Sequence, residues 1–160
     1  TIFFENNGFK IFDWKKECKN LFIMEDLLTN IKPSKNAELN KKKGLEIFEI
    51  IGKADISQSM IIQNKIVLGL EAAEGTDELI SRCSRYKKKG DKGILLKLSK
   101  YNQDNNLDIP VIGLDTVINV NKNNYEGIFL EKNRCIIIDK YEVVKYCNRN
   151  NIFIASVKKN

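Results

Sequence analysis

Residues 59–80 read SMIIQNKIVLGLEAAEGTDELI, and this stretch decides the fold. Two apolar runs, Ser59–Gln63 and Ile66–Leu70, flank the dipeptide Asn64-Lys65, which predicts a β-hairpin with a two-residue turn. Four carboxylates around a glycine follow in residues 71–78. A helix running to about Lys88 is predicted next, because three apolar residues then share one helical face: Leu79, Ile80 and Cys83.

The rest of the chain alternates between strand and helix patterns without strict order. Helices are predicted at Ala37 to Ile51, at Asp139 to Arg149, after an Asp115-Thr116 cap, and from Met24 to Leu28. Further strands are predicted at Phe9–Phe12, Ile94–Leu98, Gly127–Leu130, Cys135–Ile138 around an Asn133-Arg134 turn, and Ile152–Val157. The pattern indicates an α/β fold tending to α+β, with a mixed sheet, flanking helices and a single main domain.

The chain has 160 residues, of which 42% are hydrophobic, so it can bury one good core. Composition shifts between Pro33 and Lys43, and we predict a boundary between residues 1–36, a remnant of a preceding domain with its linker, and residues 37–160, the main domain. The start at Thr1 adds the expectation that a longer protein lost its N-terminal part. No apolar run approaches the roughly 20 residues of a membrane span.

Composition also restricts the chemistry. The chain contains no histidine, so acid/base or metal chemistry must use carboxylates, lysines, hydroxyls or metal-bound water. Its net charge of +6 suits an anionic partner, but no aromatic-interleaved basic motif predicts nucleic-acid binding. The four cysteines form no C-x-x-C pair, which indicates a reduced cytosolic protein with buried, inert thiols.

The acidic corner, residues 71–78, is a predicted magnesium site. Glu71, Glu74 and Asp77 could supply carboxylates, and the backbone N–H groups of Gly75 and Thr76 could meet a phosphate at the helix N-terminus. The alternative is an ordinary helix start with Thr76 as N-cap. A helix start explains Glu78 well, and it explains Glu71 and Glu74 less well.

The loop between Lys97 and Gly113 is the second candidate, because polar residues there lie between apolar anchors. An aspartate before Ile-Pro is equally consistent with turn chemistry, so both interpretations stay open. Lys97 alternates with leucines on a strand that otherwise predicts burial, so its ammonium must either snorkel to solvent or meet an anion. The polar residues of this loop that could serve a site are Asn102, Gln103, Asp104 and Asp108.

Three segments together resemble the LpxI-type UDP-2,3-diacylglucosamine pyrophosphatases. They are ADISQSMIIQ at residues 54–63, LEAAEGTD at residues 70–77, and GILLKL with NQD and DIPVIG within residues 93–113. The resemblance implies that residues from about 50 onward form the family's C-terminal domain. It also implies hydrolysis of UDP-2,3-diacylglucosamine to UMP and 2,3-diacylglucosamine 1-phosphate (lipid X), with magnesium, on the cytoplasmic side of the membrane in lipid A synthesis.

The resemblance also implies roles for particular residues. It makes Asp108 or Asp104 an essential carboxylate and Lys97 a charge neutraliser. Magnesium would be held by Glu71, Glu74 and Asp77, and substrate would be bound by Gln58, Gly75, Thr76, Asn102 and Gln103. Peripheral contact with the inner membrane face and a homodimer are compatible with it. A shortened, inactive chain that binds the nucleotide-lipid or a partner subunit is the alternative.

Overall fold

The computed structural model describes residues 2–10, 12, 14–54, 56–99 and 109–159. Its α-helices are α1 (Ile2–Asn6), α2 (Lys35–Ile51), α3 (Thr76–Cys83), α4 (Leu114–Lys122) and α5 (Lys140–Arg149). Its strands are β1 (Ser59–Gln63), β2 (Ile66–Leu70), β3 (Ile94–Lys97), β4 (Val111–Ile112), β5 (Gly127–Glu131), β6 (Ile136–Ile137) and β7 (Phe153–Val157).

Five strands form a mixed sheet in the order β2-β1-β3-β5-β7. β1 is antiparallel to β2 and β3, whereas β3, β5 and β7 are parallel. In the β1–β2 turn, Asn64 and Lys65 have φ values of 53° and 61°, the left-handed geometry of a two-residue hairpin. The predicted hairpin and mixed sheet are therefore confirmed.

Helices cover both faces of the sheet. On one face, apolar residues of α3, α4 and α5 pack with Ile61, Leu95 and Ile128. On the other face, α2 packs with Met60 and Leu96. Strand residues thus alternate between two cores, as their period of two requires, and the fold is a three-layer α/β arrangement.

The predicted helix from Met24 to Leu28 is wrong, because the backbone of this segment pairs with strands instead. The Leu28 N–H donates to the Ile154 carbonyl at 2.9 Å, and the Ile154 N–H donates to the Thr29 hydroxyl at 3.0 Å. The Ser156 N–H donates to the Asp26 carbonyl at 2.9 Å. Residues 26–29 therefore lie along β7 on the side opposite β5.

Four smaller expectations also differ. The described residues of the predicted Phe9–Phe12 strand lie outside any strand, and Ile11 lies outside the described residues. α3 ends at Cys83, short of Lys88, because a 3-10 turn follows it. Gly113, not Asp115-Thr116, occupies the N-cap position of α4. β5 and β6 belong to different sheets, since β6 pairs with β4.

The helix predicted up to Ile51 is confirmed as α2, with Ser34 as its N-cap: the Ser34 hydroxyl accepts from the Ala37 N–H at 3.1 Å. The boundary predicted between residues 36 and 37 stays a prediction. Within the described part of the chain, every helix is too short or too polar to cross a bilayer.

Candidate functional site

The site residues gather where β2, β3, β5 and β7 end and β1 begins, which we call the carboxyl edge. Ser59, at the start of β1, is the cross-strand partner of Lys97 at the end of β3. Glu71 directly follows β2, and its N–H donates to the Ser59 carbonyl at 2.9 Å. Strand pairing therefore places Glu71, Ser59 and Lys97 side by side. Ligands of open α/β sheets bind at such carboxyl ends.

Lys97 lies buried at this edge, with 4% of its surface exposed. Its ammonium donates to the Thr76 hydroxyl at 2.6 Å and to the Ser59 hydroxyl at 3.1 Å. Glu71 Oε2 lies 3.6 Å from Lys97 Nζ. Of the two outcomes left open for Lys97, the structure shows the second: the ammonium meets a carboxylate instead of reaching solvent.

Glu71 and Thr76 complete what we call the Lys97 cluster: Lys97, Glu71, Ser59 and Thr76. The Thr76 hydroxyl donates to Glu71 Oε1 at 3.0 Å. Glu71 Oε2 is buried and accepts no hydrogen bond from the residues that the structure describes, and the Lys97 ammonium faces it. The cluster thus joins one ammonium, one carboxylate and two hydroxyls in a poorly solvated place, where electrostatic interactions are strong.

The prediction that Thr76 caps α3 is wrong. Gly75, which has no side chain to cap with, occupies the N-cap position, and Thr76 is the first helical residue. Gly75 has a φ of +85°, which favours glycine because a side chain would strain the backbone there. The tight corner turns the Thr76 hydroxyl toward Lys97 and Glu71 instead of toward the helix amides.

Glu74 does not join the Lys97 cluster in the described structure, because its carboxylate pairs with Arg82. Arg82 Nη2 donates to Glu74 Oε1 at 2.6 Å and to the Leu70 carbonyl at 2.7 Å. The pKa of Glu74 is lowered, first by its own backbone N–H and next by Arg82. The carboxylate of Glu74 is therefore already held by a guanidinium and a backbone amide.

Asp77 is exposed, and its backbone carbonyl accepts hydrogen bonds from Ser81 and Asn119. Across the described ranges, no group of three or more carboxylates and thiols is arranged to hold a metal ion. The magnesium role of Glu71, Glu74 and Asp77 stays a prediction, and the geometry leaves Glu71 as the best placed of the three.

The other predicted site residues divide into two groups. Gln58 lies next to the cluster, since its carbonyl accepts from the Leu98 N–H at 2.8 Å. The loop residues Asn102, Gln103, Asp104 and Asp108 lie outside the described residues. Sequence reasoning missed Ser59, although the hairpin register and the polar start of an apolar strand could have indicated it.

The cysteines behave as the sequence predicted in three of four cases. Cys83, Cys135 and Cys147 are buried, and Cys18 is half-buried. Burial raises the pKa of Cys135 and of Cys147 to about 12. The Cys135 thiol also contacts the Lys97 carbonyl at 3.5 Å, so it packs behind the cluster as a protonated thiol and not as a nucleophile.

These features define a class of protein: a three-layer α/β domain with a buried lysine–carboxylate cluster at the carboxyl edge of a mixed sheet. The model of the LpxI C-terminal domain matches residues 24–155, and the chain belongs to this family. It is also similar to the UDP-2,3-diacylglucosamine pyrophosphatase LpxI of Caulobacter vibrioides, with 26% identity over 160 residues. That match covers 96% of the chain and 57% of the relative's length.

Proposed function

We propose that the protein hydrolyses the pyrophosphate bond of UDP-2,3-diacylglucosamine, releasing UMP and 2,3-diacylglucosamine 1-phosphate. The substrate is proposed from the chain's membership in the LpxI C-terminal domain family and from its similarity to the Caulobacter pyrophosphatase. The observation that carries the proposal is the Lys97 cluster, because a buried ammonium at a carboxyl edge suits a reaction on phosphate groups.

Hydrolysis needs charge stabilisation above all. The oxygen of a water molecule forms a bond to one phosphorus, the bond from that phosphorus to the bridging oxygen breaks, and the bridging oxygen leaves with one product phosphate. The proton that water loses passes to a base or to solvent. Negative charge builds on the phosphate oxygens, and a preorganised ammonium in a water-poor site stabilises that charge strongly.

The members of the cluster differ in burial, and we therefore expect them to take different parts in the reaction. Thr76 and Glu71 are half-buried and meet solvent, whereas Lys97 is almost completely buried behind them. We expect the Thr76 hydroxyl to turn its single proton from Glu71 Oε1 to a phosphate oxygen when substrate binds, and Lys97 to neutralise the developing charge. Asp104 or Asp108 is proposed as the essential carboxylate that accepts the proton from water, on the resemblance alone.

Magnesium is part of the proposal, but the described residues do not form its site by themselves. Within the described part of the chain, the buried Glu71 Oε2 has no hydrogen-bond donor, which would fit a cation. Lys97 already faces it at 3.6 Å, however, and Glu74 is held by Arg82. Magnesium usually takes one or two protein carboxylates plus substrate phosphates, so Glu71 would need Asp104, Asp108 or the substrate as a further ligand source.

The test is UMP release from UDP-2,3-diacylglucosamine by purified protein, with the Caulobacter relative as positive control. Lys97→Met should lower kcat by about 10²–10³-fold, the loss seen when a transition-state charge partner is removed. Lys87→Met is the matched control. Lys87 is a half-buried lysine that donates to the carbonyls of Asn123 and Asn124, away from the cluster.

Two outcomes would contradict the proposal. The first is no UMP release by the wild type under conditions in which the relative is active. Calorimetric binding of a UDP-sugar without turnover would then favour the binding-only alternative, which the partial coverage of the relative motivates. The second is an equal effect of Lys97→Met and Lys87→Met, which would remove the cluster from the mechanism.

Peripheral contact with the cytoplasmic face of the inner membrane is proposed with the substrate, since its acyl chains reside in a bilayer. The net charge of +6 supports attraction to anionic lipid. In a flotation assay, the protein should rise with vesicles that contain anionic lipid at low salt, and it should stay at the bottom of the gradient at high salt. A homodimer is a further proposal, and light scattering would measure the mass of the protein in solution.

A further inference from the structure

The connection between β2 and α3, residues 71–75, holds the Lys97 cluster between its two ends. Glu71 is the first residue of this connection, and Thr76 directly follows its last. Ala72 and Ala73 are exposed, so little apolar packing keeps the connection in place. Its shape nevertheless sets the contact between the Thr76 hydroxyl and Glu71 Oε1, at 3.0 Å. A group that fixes this connection therefore also fixes two members of the cluster.

Arg82, in the last turn of α3, reaches back to both ends of this connection. Its Nη2 atom donates to the carbonyl of Leu70, the last residue of β2, at 2.7 Å. Its Nε and Nη2 atoms donate to Glu74 Oε1 at 2.9 Å and 2.6 Å. The other carboxylate oxygen of Glu74, Oε2, accepts the Ala72 N–H at 3.0 Å. One guanidinium thus ties the end of the strand to the corner before the helix, and Glu74 extends the tie to the middle of the connection.

Gly69, on β2, makes this reach possible. A Cβ at Gly69 would lie 2.5 Å from Cys83 Sγ, 3.0 Å from Arg82 Nη1 and 3.1 Å from Leu79 Cδ1. The side chains of α3 therefore pack directly against the backbone of β2, at a distance that a side chain on Gly69 would prevent. This close approach brings the Arg82 guanidinium within hydrogen-bond distance of the end of the strand.

We infer that Arg82 is a positioning residue: by tying the end of β2 to the corner before α3, it holds Glu71 and Thr76 in the geometry of the Lys97 cluster. This inference rests on the proposed function, because that geometry matters for catalysis only if the reaction occurs. A guanidinium is planar and rigid, so it holds two acceptors in fixed directions at once. Misplacing a reacting group by about 1 Å can cost about 10²-fold in rate.

Lys87 offers a matched control in another part of the molecule. Its Nζ atom donates to the Asn123 carbonyl at 3.0 Å and to the Asn124 carbonyl at 2.6 Å. Like Arg82, it is a half-buried cation that holds the backbone at one end of a helix, in this case the carboxyl end of α4. Lys87→Met therefore removes a comparable brace and leaves the β2–α3 connection intact.

The experiment compares Arg82→Met, Arg82→Lys and Lys87→Met by UMP release and by hydrogen exchange of peptides that cover residues 70–78. Arg82→Met should lower kcat by about 10²-fold while KM stays within about threefold, the pattern of a loss in the transition state. Arg82→Lys should recover only part of the rate, because it keeps the charge and loses the planar fork. Lys87→Met should keep wild-type kcat. If Arg82→Met does not fold, Arg82→Lys decides the question, since a wild-type kcat in that variant would overturn the inference.

Exchange separates failure of this inference from failure of the proposed function. Arg82→Met should speed exchange in the peptides that cover residues 70–78, and Lys87→Met should not. The positioning role is overturned if exchange there is unchanged, or if an active protein keeps its kcat in Arg82→Met. A rise in KM with kcat unchanged would also overturn it, because Arg82 would then bind substrate directly. If exchange speeds up but the wild type releases no UMP, the brace stands as structure while its role in the reaction falls with the proposed function.

Discussion

The Lys97–Glu71 pair allows a sharp test of how the cluster is held together. We consider Lys97→Met, which keeps the aliphatic stem and removes the ammonium, and Glu71→Gln, which removes the charge and keeps an acceptor for Thr76. The double variant removes both charges. The free energy of unfolding of all four proteins then gives the coupling between the two side chains.

The structure sets the expected size. The side chains of Lys97 and Glu71 are 5% and 16% exposed, and their charged atoms lie 3.6 Å apart. Two unit charges at that distance attract by about 5 kcal/mol at an effective dielectric of about 20, although desolvation offsets much of this. Removing one partner of a buried pair costs about 3–5 kcal/mol, because the other charge stays buried. The double variant should therefore cost at least about 2 kcal/mol less than the sum of the single variants.

Urea unfolding followed by circular dichroism measures all four stabilities. The Lys132–Asp26 pair is the control: its charged atoms are closer, at 2.7 Å, but the Asp26 side chain is 90% exposed. Solvent screens such a pair, so its coupling should fall within experimental error. A Lys97–Glu71 coupling no larger than that of the control would refute the reasoning, because burial would then add nothing to the interaction.

Three further predictions concern packing, thiols and acid stability. A Cβ at Gly127 would overlap a backbone carbonyl of β7, so Gly127→Ala should cost about 1–3 kcal/mol in urea unfolding, whereas Gly113→Ala, with open space around it, should cost clearly less; equal losses would contradict this. Iodoacetamide at about pH 8 should label Cys18 well before the three buried cysteines, and labelling of all four at one rate in native protein would show that the others are accessible. The folded-state pKa of Glu74 is lowered by its own N–H and by Arg82. The ionised Glu74 side chain therefore stabilises the folded protein above the ordinary glutamate pKa, and this stabilisation is lost as pH falls through the folded-state pKa. Glu74→Gln should flatten the acid side of a plot of urea midpoint against pH, and parallel plots for variant and wild type would contradict the pairing.

Local pattern was sufficient where short-range chemistry decides the structure. The hairpin follows from two apolar runs separated by Asn64-Lys65, and α2 follows from its periodicity and its end at Gly52. Long-range pairing overruled local preference at residues 24–28. Their backbone groups find partners on β7, which is more than a hundred residues away in sequence, and no local pattern can indicate that partner.

The candidate site was predictable in composition and only partly in arrangement. The sequence placed Glu71 and Thr76 in one acidic corner and left open whether the Lys97 ammonium meets an anion, and the structure brings the three together. It did not indicate that Arg82 takes Glu74, because that contact depends on how α3 packs against the end of β2. The role of Ser59 depends on strand register, which places it opposite Lys97.

The pairing of residues 26–29 with β7 has a consequence for how the chain folds. The segment is synthesised early, yet its backbone partners lie in Phe153–Val157 and are synthesised more than a hundred residues later. Contacts between distant parts of a chain form slowly, because a long loop must close first. Until they form, the side of β7 opposite β5 exposes unpaired N–H and C=O groups that could recruit another chain. Slow folding and early aggregation should therefore share one origin, the delayed arrival of residues 26–29 at β7.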